Sequence, residues 1–254
     1  MPLPKKPRLN KLEELSIFFP LYNEEDNVRE LVTEALEVFS MYAKKYEVIL
    51  VNDGSRDNTL SIARELEKEN RNIRVVSQKN QGYGGAVKRG FKEAKYKWVF
   101  YSDGDLQFDL SEFKRFIPFT EKYDMVIGYR KIRAEGFRRF LVAKMLRIWN
   151  LLFLGFPLFI KDIDCAFKLI NRDVINAVKP LESNGAMLTT EFLLKAHRKG
   201  FKIKQVGVKH YRRLLGVSSG NNLKVIIKAI KDTFIIRDIM TQKKYITTIR
   251  PAIA

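Results

Sequence analysis

Asp103 and Asp105 stand one residue apart directly after the apolar run WVFYS, and Gln107 follows two positions later. On an extended backbone alternate side chains share a face, so this spacing predicts three oxygen-bearing groups converging at the end of a buried strand. Such a trio suits a hard divalent cation, Mg²⁺ or Mn²⁺. That ion can bridge the phosphates of a nucleoside diphosphate and neutralise it as a leaving group. Acidic pairs are also common on solvated turns. The apolar strand favours the cation, because two like charges beside it are costly unless a positive charge or hydrogen bonds compensate.

Other residue types point the same way with less specificity. Gly82, Gly84 and Gly85 open a helical pattern, with Lys88 and Arg89 one turn further on, and glycines let backbone N–H groups approach a ligand. A plain tight turn is the competing reading, since the spacing matches neither the phosphate loop of NTPases nor the dinucleotide fingerprint. Asp53, in VNDGS, can accept a hydrogen bond from a nucleobase imide or cap the next helix. If the acceptor is a hydroxyl, a carboxylate base is required, and Glu191 and Asp162 are the candidates. For Glu191, at the start of a helix, charge complementarity to the helix terminus is the alternative. His197 and His210 are too few and too far apart for a zinc site. Cys165 is the single cysteine, which excludes a disulfide framework, fits a reducing compartment and suits a buried small residue.

Ser16 to Pro20, Glu47 to Val51, Ile73 to Ser77 and Trp98 to Ser102 read as short apolar strands. Between them, Asn23 to Met41, Thr59 to Glu69 and the stretch from QGYGGA to about Ala94 repeat apolar residues at helical spacing. Close alternation of this kind predicts an α/β fold with a mostly parallel sheet flanked by helices, and ligands then bind beyond the carboxyl ends of the strands. In the second half, Asp124 to Gly128, Ala166 to Ile170 and Lys202 to Val208 read as strands. Phe137 to Leu154 and Thr189 to Lys199 read as helices, and this half is expected to build the acceptor side.

The chain of 254 residues carries a net charge of +18, and from Lys195 onward fifteen Lys or Arg face only Asp232 and Asp238. Such a field calls for an anionic partner, and a bilayer, a phosphate-bearing substrate or nucleic acid would each satisfy it. Nucleic acid is not expected, since it gives no reason for the acidic trio at a strand end and the surface aromatics of an RNA-reading sheet are missing. Asn221 to Met240 reads as a basic amphipathic helix, fit to lie on an anionic membrane surface or to pack on the domain. The run IWNLLFLGFPLFI, residues 148 to 160, is too short to span a bilayer and can either touch one or fill core. The first 14 residues read as a loose basic arm without the apolar segment of a signal peptide. The expected organisation is therefore an arm at 1–14, a catalytic domain at 15–220 and a basic tail at 221–254. The expected location is cytoplasmic, peripheral on the cytoplasmic face of the membrane.

Six segments in order resemble family 2 of the inverting GT-A glycosyltransferases, and most closely its polyprenyl-phosphate branch, the dolichyl-phosphate mannose synthase type. They are FFPLYNEEDN, VNDGSRDNT, NQGYGGAVKRGFKEA, SDGDLQ, IGYR and KDIDCAFKLINRDV. The resemblance implies a GT-A, Rossmann-like fold and transfer of a hexose from a GDP- or UDP-sugar donor to a polyprenyl or dolichyl phosphate. It implies that Pro20, Tyr22, Glu24, Val51 and Asp53, with Gly84, Lys88 and Gly104, line the nucleotide-sugar site. Asp103, Asp105 and Gln107 would handle metal and diphosphate, and Arg130 would approach the acceptor phosphate. A second acceptor arginine is matched by Arg138 or Arg139, with Arg139 the better fit, and Arg213 resembles the arginine of a loop that closes over the donor. Asn52, Ala143 and Ser219 depart from the pattern, at positions where the branch carries aspartate, serine and lysine. Extension of a saccharide by a family 2 enzyme is the nearest alternative activity.

Overall fold

A computed structural model describes residues 11–131, 151–183, 187–212 and 232–239, together with Met145, Trp149, Gly185 and Thr241. Seven strands form one sheet: β1 (Leu12–Leu21), β2 (Ala43–Asn52), β3 (Ile73–Ser77), β4 (Trp98–Ser102), β5 (Met125–Arg130), β6 (Phe167–Asn171) and β7 (Ile203–Val208). Their order across the sheet is β3-β2-β1-β4-β6-β5-β7. Only β6 runs against its neighbours, so the sheet is mostly parallel, as expected.

Helices α1 (Val28–Tyr42), α2 (Thr59–Glu69) and α3 (Tyr83–Glu93) connect the first four strands. Each buries one stripe, in α1 through Val28, Leu31, Val32, Ala35, Val38 and Phe39. Two further helices, α4 (Arg172–Val178) and α5 (Leu188–Arg198), follow β6. The two halves of the sheet share an aromatic core. Phe100 of β4 meets Phe167 of β6 at 4.7 Å between ring centroids and Phe113 at 5.1 Å, in edge-to-face geometry.

Several boundaries differ from expectation for physical reasons. β1 begins at Leu12 and β2 at Ala43, so the arm expected at 1–14 gives its last three residues to the sheet. That outer ladder is solvated and held by Glu13–Lys44 and Glu14–Lys45 ion pairs, which is why it reads as polar. α1 starts five residues later than Asn23, because residues 22–25 are committed to a loop. α4 was not expected, nor were the 3-10 turns at Leu110–Arg115 and Ile117–Phe119.

The described part of the run at 148–160 divides between buried and exposed residues. Residues 151–154 are helical, and Gly155 ends the helix with a φ of +60° that favours glycine. Leu154, Phe156 and Ile160 are buried while Leu152, Leu158 and Phe159 are exposed. Much of the helix expected at 137–154 and of the tail at 221–254 lies outside the described residues. Residues 232–239 are helical, with Thr233 and Ile236 buried and Phe234 and Ile235 exposed. No helix among the described residues is long and apolar enough to cross a membrane.

Candidate active site

The turns after β1, β2 and β3 are stitched into one ledge at the carboxyl edge of the sheet. The N–H groups of Asn23, Glu24 and Glu25 donate to Ser55 Oγ, Thr59 Oγ1 and Asp57 Oδ2, at 3.0, 2.8 and 3.2 Å. Arg56 and Asn58 return N–H bonds to Asn23 Oδ1 and Glu25 Oε2. Asp53, buried, accepts on Oδ1 from Gln78 Nε2 at 2.8 Å and from the Gln81 N–H at 2.9 Å. It therefore caps no helix, and it ties the second turn to the glycine turn that opens α3. Glu24 is buried and accepts from Asn27 Nδ2 at 2.7 Å, whereas Tyr22 is exposed. The Val51 side chain lies wholly in the core, so only its main chain can face a ligand. Lys88 donates to the carbonyl of Leu181 at 3.1 Å, and Gly84 is buried in the first turn of α3.

At the next strand the backbone stops being extended. β4 ends at Ser102, and Leu106 takes a φ of +57°, a conformation that costs a side-chain-bearing residue of order 1 kcal/mol. The expected alternation of Asp103, Asp105 and Gln107 on one extended face is thus replaced by a tight turn. Gly104 permits it, since a Cβ there would stand 2.4 Å from Leu21 Cδ2 and 3.2 Å from the Pro20 carbonyl. The two aspartates still lie close enough for the charge of Asp105 to act on Asp103. Burial, and then the charge of Asp105, push the Asp103 carboxyl up to about 7. Gln107 points elsewhere with its amide nitrogen, donating to the Tyr211 carbonyl at 2.9 Å, while the Tyr211 N–H donates to the Gln107 carbonyl at 2.8 Å.

Two groups that the sequence reading passed over, Lys168 and Tyr83, stand beside Asp103, and Cys165 lies nearby, buried as expected. Lys168 is 1% exposed, with Nζ donating to the carbonyls of Ile163, at 3.1 Å, and Cys165, and standing 5.7 Å over the Tyr101 ring. Its charge, like that of Arg130, favours the ionised form of Asp103. Tyr83 sits with its phenol end enclosed beside Asp103. Burial and then that neighbouring charge hold it well above the ordinary tyrosine range. Cys165 is inert, because burial pushes its thiol up to about 12. The signal for Lys168 was present in AFKLIN, a cation in the middle of an apolar strand.

On the acceptor side, Arg130 at the end of β5 forms a bidentate pair with Asp162. Nε to Oδ2 is 2.7 Å, Nη2 to Oδ1 is 2.9 Å, and the Arg130 N–H adds a third bond at 3.2 Å. The two side chains are 8% and 4% exposed. Glu191 is completely buried, accepting from the N–H groups of Glu182 and Ser183 and from Lys195 Nζ at 2.6 Å. Both expected base candidates therefore have their oxygens engaged inside the fold. Arg139 and Arg213, expected to touch acceptor and donor, lie outside the described residues, as does Arg138.

The donor set suits a hard divalent cation: two neighbouring carboxylates, with Asp103 raised by burial and then by the charge of Asp105, and an amide oxygen on Gln107 nearby in the chain.

Residues 16–178 match the family described as glycosyl transferase family 2. The chain belongs to glycosyl transferase family 2. Among similar proteins, dolichyl-phosphate beta-glucosyltransferase of Saccharomyces cerevisiae is 29% identical, over 91% of this chain and 78% of that one. The protein of the same description from Dictyostelium discoideum is 31% identical over 76% of this chain and 65% of its own length. The dodecaprenyl-phosphate galacturonate synthase of Rhizobium johnstonii is 29% identical over 88% of this chain and 68% of its own. A crystal structure of glucosyl-3-phosphoglycerate synthase from Mycobacterium tuberculosis, in complex with Mn²⁺, UDP and glucosyl-3-phosphoglycerate, superposes with a TM-score of 0.67. It covers 89% of this chain and 80% of that one, and at 16% identity it establishes the shared fold alone. The shared fold agrees with the mostly parallel sheet flanked by helices.

Proposed function

We propose that this family 2 glycosyltransferase moves a hexose from a nucleotide-sugar donor, a GDP- or UDP-sugar, to a polyprenyl or dolichyl phosphate at an anionic membrane surface. The observation that carries the reading is that Arg130, at the end of β5, and Asp103, just beyond the end of β4, lie at the same edge of the sheet, where the charge of Arg130 favours the ionised form of Asp103. A cation meant for an acceptor phosphate and carboxylates meant for a donor diphosphate share one space. The names of the yeast, Dictyostelium and Rhizobium relatives, all referring to polyprenyl-type phosphates, support the acceptor class.

In this reading the ledge formed by Pro20, Tyr22, Glu24, Asp53 and the Val51 main chain receives the nucleotide. Gly84, Lys88 and Gly104 lie along the diphosphate and sugar, with Arg139 and Arg213 contributing from the acceptor and donor sides. Asp103 and Asp105 hold Mg²⁺ or Mn²⁺, with the amide oxygen of Gln107 as a third ligand. When bound, the ion neutralises charge developing on the departing diphosphate. Arg130 orients the acceptor phosphate, one of whose oxygens attacks the anomeric carbon. The bond from that carbon to the diphosphate oxygen breaks, its electron pair leaves with the nucleoside diphosphate, and the configuration inverts. A phosphate monoester, with a second pKa of about 6, is already mostly ionised at neutral pH, so no carboxylate need take a proton. The engagement of Asp162 and Glu191 in internal bonds supports a phosphate acceptor over a saccharide hydroxyl for the same reason.

The test is a transfer assay with radiolabelled GDP- and UDP-sugars, Mg²⁺ or Mn²⁺, and either a short-chain polyprenyl phosphate or free saccharides. Label should move into the organic-extractable lipid fraction. Label found only in saccharide would contradict the proposed acceptor.

A further inference from the structure

We infer that the turn at residues 155–161 is a preformed contact edge for an anionic lipid bilayer. Within it Leu158 is 65% and Phe159 48% exposed, and Leu152, just before it, is 73% exposed. The same segment buries Leu154, Phe156 and Ile160, so the outward residues are not spare core. A bare apolar tip on a soluble surface marks a binding surface when it is contiguous and rigid.

Rigidity comes from Gln205 of β7, which brackets the tip. Its Nε2 donates to the Phe159 carbonyl at 2.7 Å, and its Oε1 accepts from the Lys161 N–H at 2.7 Å. The Phe159 ring also packs edge-on against His197 at 5.3 Å. The turn is therefore ordered before it meets a partner, which lowers the entropic cost of binding.

Charge selects the occupant. Lys161 follows the tip with Nζ 4.6 Å over the Tyr129 ring, and the end of α5 supplies Arg198 and Lys199, with Arg198 Nη2 bonded to the Leu154 carbonyl at 3.1 Å. The nearest acid along the chain, Asp162, is turned inward onto Arg130. An apolar tip in a basic rim matches the acyl boundary and anionic headgroups of a membrane surface. Phe234, 52% exposed and 6.1 Å from the Phe153 ring, extends the apolar surface onto the C-terminal helix.

The placement also serves the proposed reaction, on which its purpose, though not its test, rests. Asp162, which holds Arg130, lies three positions after Phe159, so at full extension the chain spans at most about 11 Å between them. A lipid phosphate at headgroup depth would then meet Arg130 without leaving the interface.

The experiment is sedimentation of the full chain with phosphatidylcholine vesicles, with and without phosphatidylserine. It compares wild type with the double variant Leu158→Glu, Phe159→Glu and the milder Leu158→Ala, Phe159→Ala. Wild type should partition onto the phosphatidylserine vesicles, the glutamate variant about tenfold less and the alanine variant in between. Superimposable melting curves and transfer to a detergent-dispersed short-chain polyprenyl phosphate within about twofold of wild type should show an intact site. Equal vesicle binding by wild type and the glutamate variant would overturn the inference. So would a wild-type dimer that the glutamate variant dissolves, which would assign the surface to a second copy of the chain. Vesicle binding without transfer to the dispersed acceptor would instead sink the transferase reading and leave the docking edge standing.

Discussion

Asp103 and Arg130 follow or end two strands, β4 and β5, that are separated only by β6, and both face the same edge of the sheet. They meet charge in opposite ways. At the end of β5 the charge arrives already matched, with Arg130 in a bidentate pair with Asp162. Beyond β4 two carboxylates share one turn, and Asp103 is raised to about 7 by burial and then by the charge of Asp105, with a hydrogen bond from Tyr83 and the charges of Lys168 and Arg130 only partly offsetting the cost. The Arg130 side is thus pre-organised by an internal pair, while the Asp103 side keeps a carboxylate held at a cost, which in the proposed reaction a cation-bound diphosphate would relieve.

Replacing Asp105 with Asn should give the largest effect. Transfer should fall by about 10²–10³-fold or more while the circular dichroism spectrum and melting point stay near wild type. A variant with near-normal metal-dependent turnover would break the donor side of the contrast.

Arg130→Ala should act on both stability and acceptor use. It leaves Asp162 buried without its main partner, a loss of about 3–5 kcal/mol that denaturant titration can measure. Adding Asp162→Ala should recover much of the stability but not the raised KM for polyprenyl phosphate. Recovery of both would reduce Arg130 to a structural residue.

Lys195→Met should destabilise by a similar or slightly smaller amount, since Glu191 is left fully buried, yet it should leave the KM for acceptor unchanged. A selective rise in that KM would place the Glu191 pair in the acceptor site.

The smallest effect has the most diagnostic sign. The folded Asp103 pKa of about 7 exceeds its ordinary value of 3.8, so between these pH values the folded state holds a proton that the unfolded chain has lost. Metal-free stability should therefore decline as pH rises through that window, and the penalty should be complete above about pH 7. Asp103→Asn should remove it and raise the metal-free melting point at pH 8, by about 2–4 °C for each kcal/mol relieved. An unchanged or lower melting point would contradict the claim that this carboxylate is held at a cost.

Elements with a clear apolar pattern were legible from sequence nearly to the residue, Ile73–Ser77 and Trp98–Ser102 as apolar runs and Thr59–Glu69 by the helical spacing of its buried Thr59, Ala63 and Leu66. Their apolar pattern and their burial are one signal. Leu12–Glu14 and Ala43–Tyr46 were missed because a solvated ladder has no hydrophobic signature. The reversed direction of β6 was not readable, since a five-residue strand looks the same in either sense. In the site, the Asp103–Asp105 pair was visible as local spacing. Its turn geometry was not, because Leu106 adopts a left-handed conformation that its side chain disfavours. Asp162 lies 32 residues from Arg130 along the chain, and no local pattern announces that pairing.

Calorimetric titration of UDP and GDP into the metal-free chain, without and then with Mn²⁺ or Mg²⁺, tests the central claim most directly. One nucleotide should bind with an affinity that rises at least about tenfold when the cation is present, and Asp105→Asn should abolish that gain. Binding that is equally tight without the cation, or a gain that survives Asp105→Asn, would contradict the assignment of these carboxylates to a metal-held sugar donor.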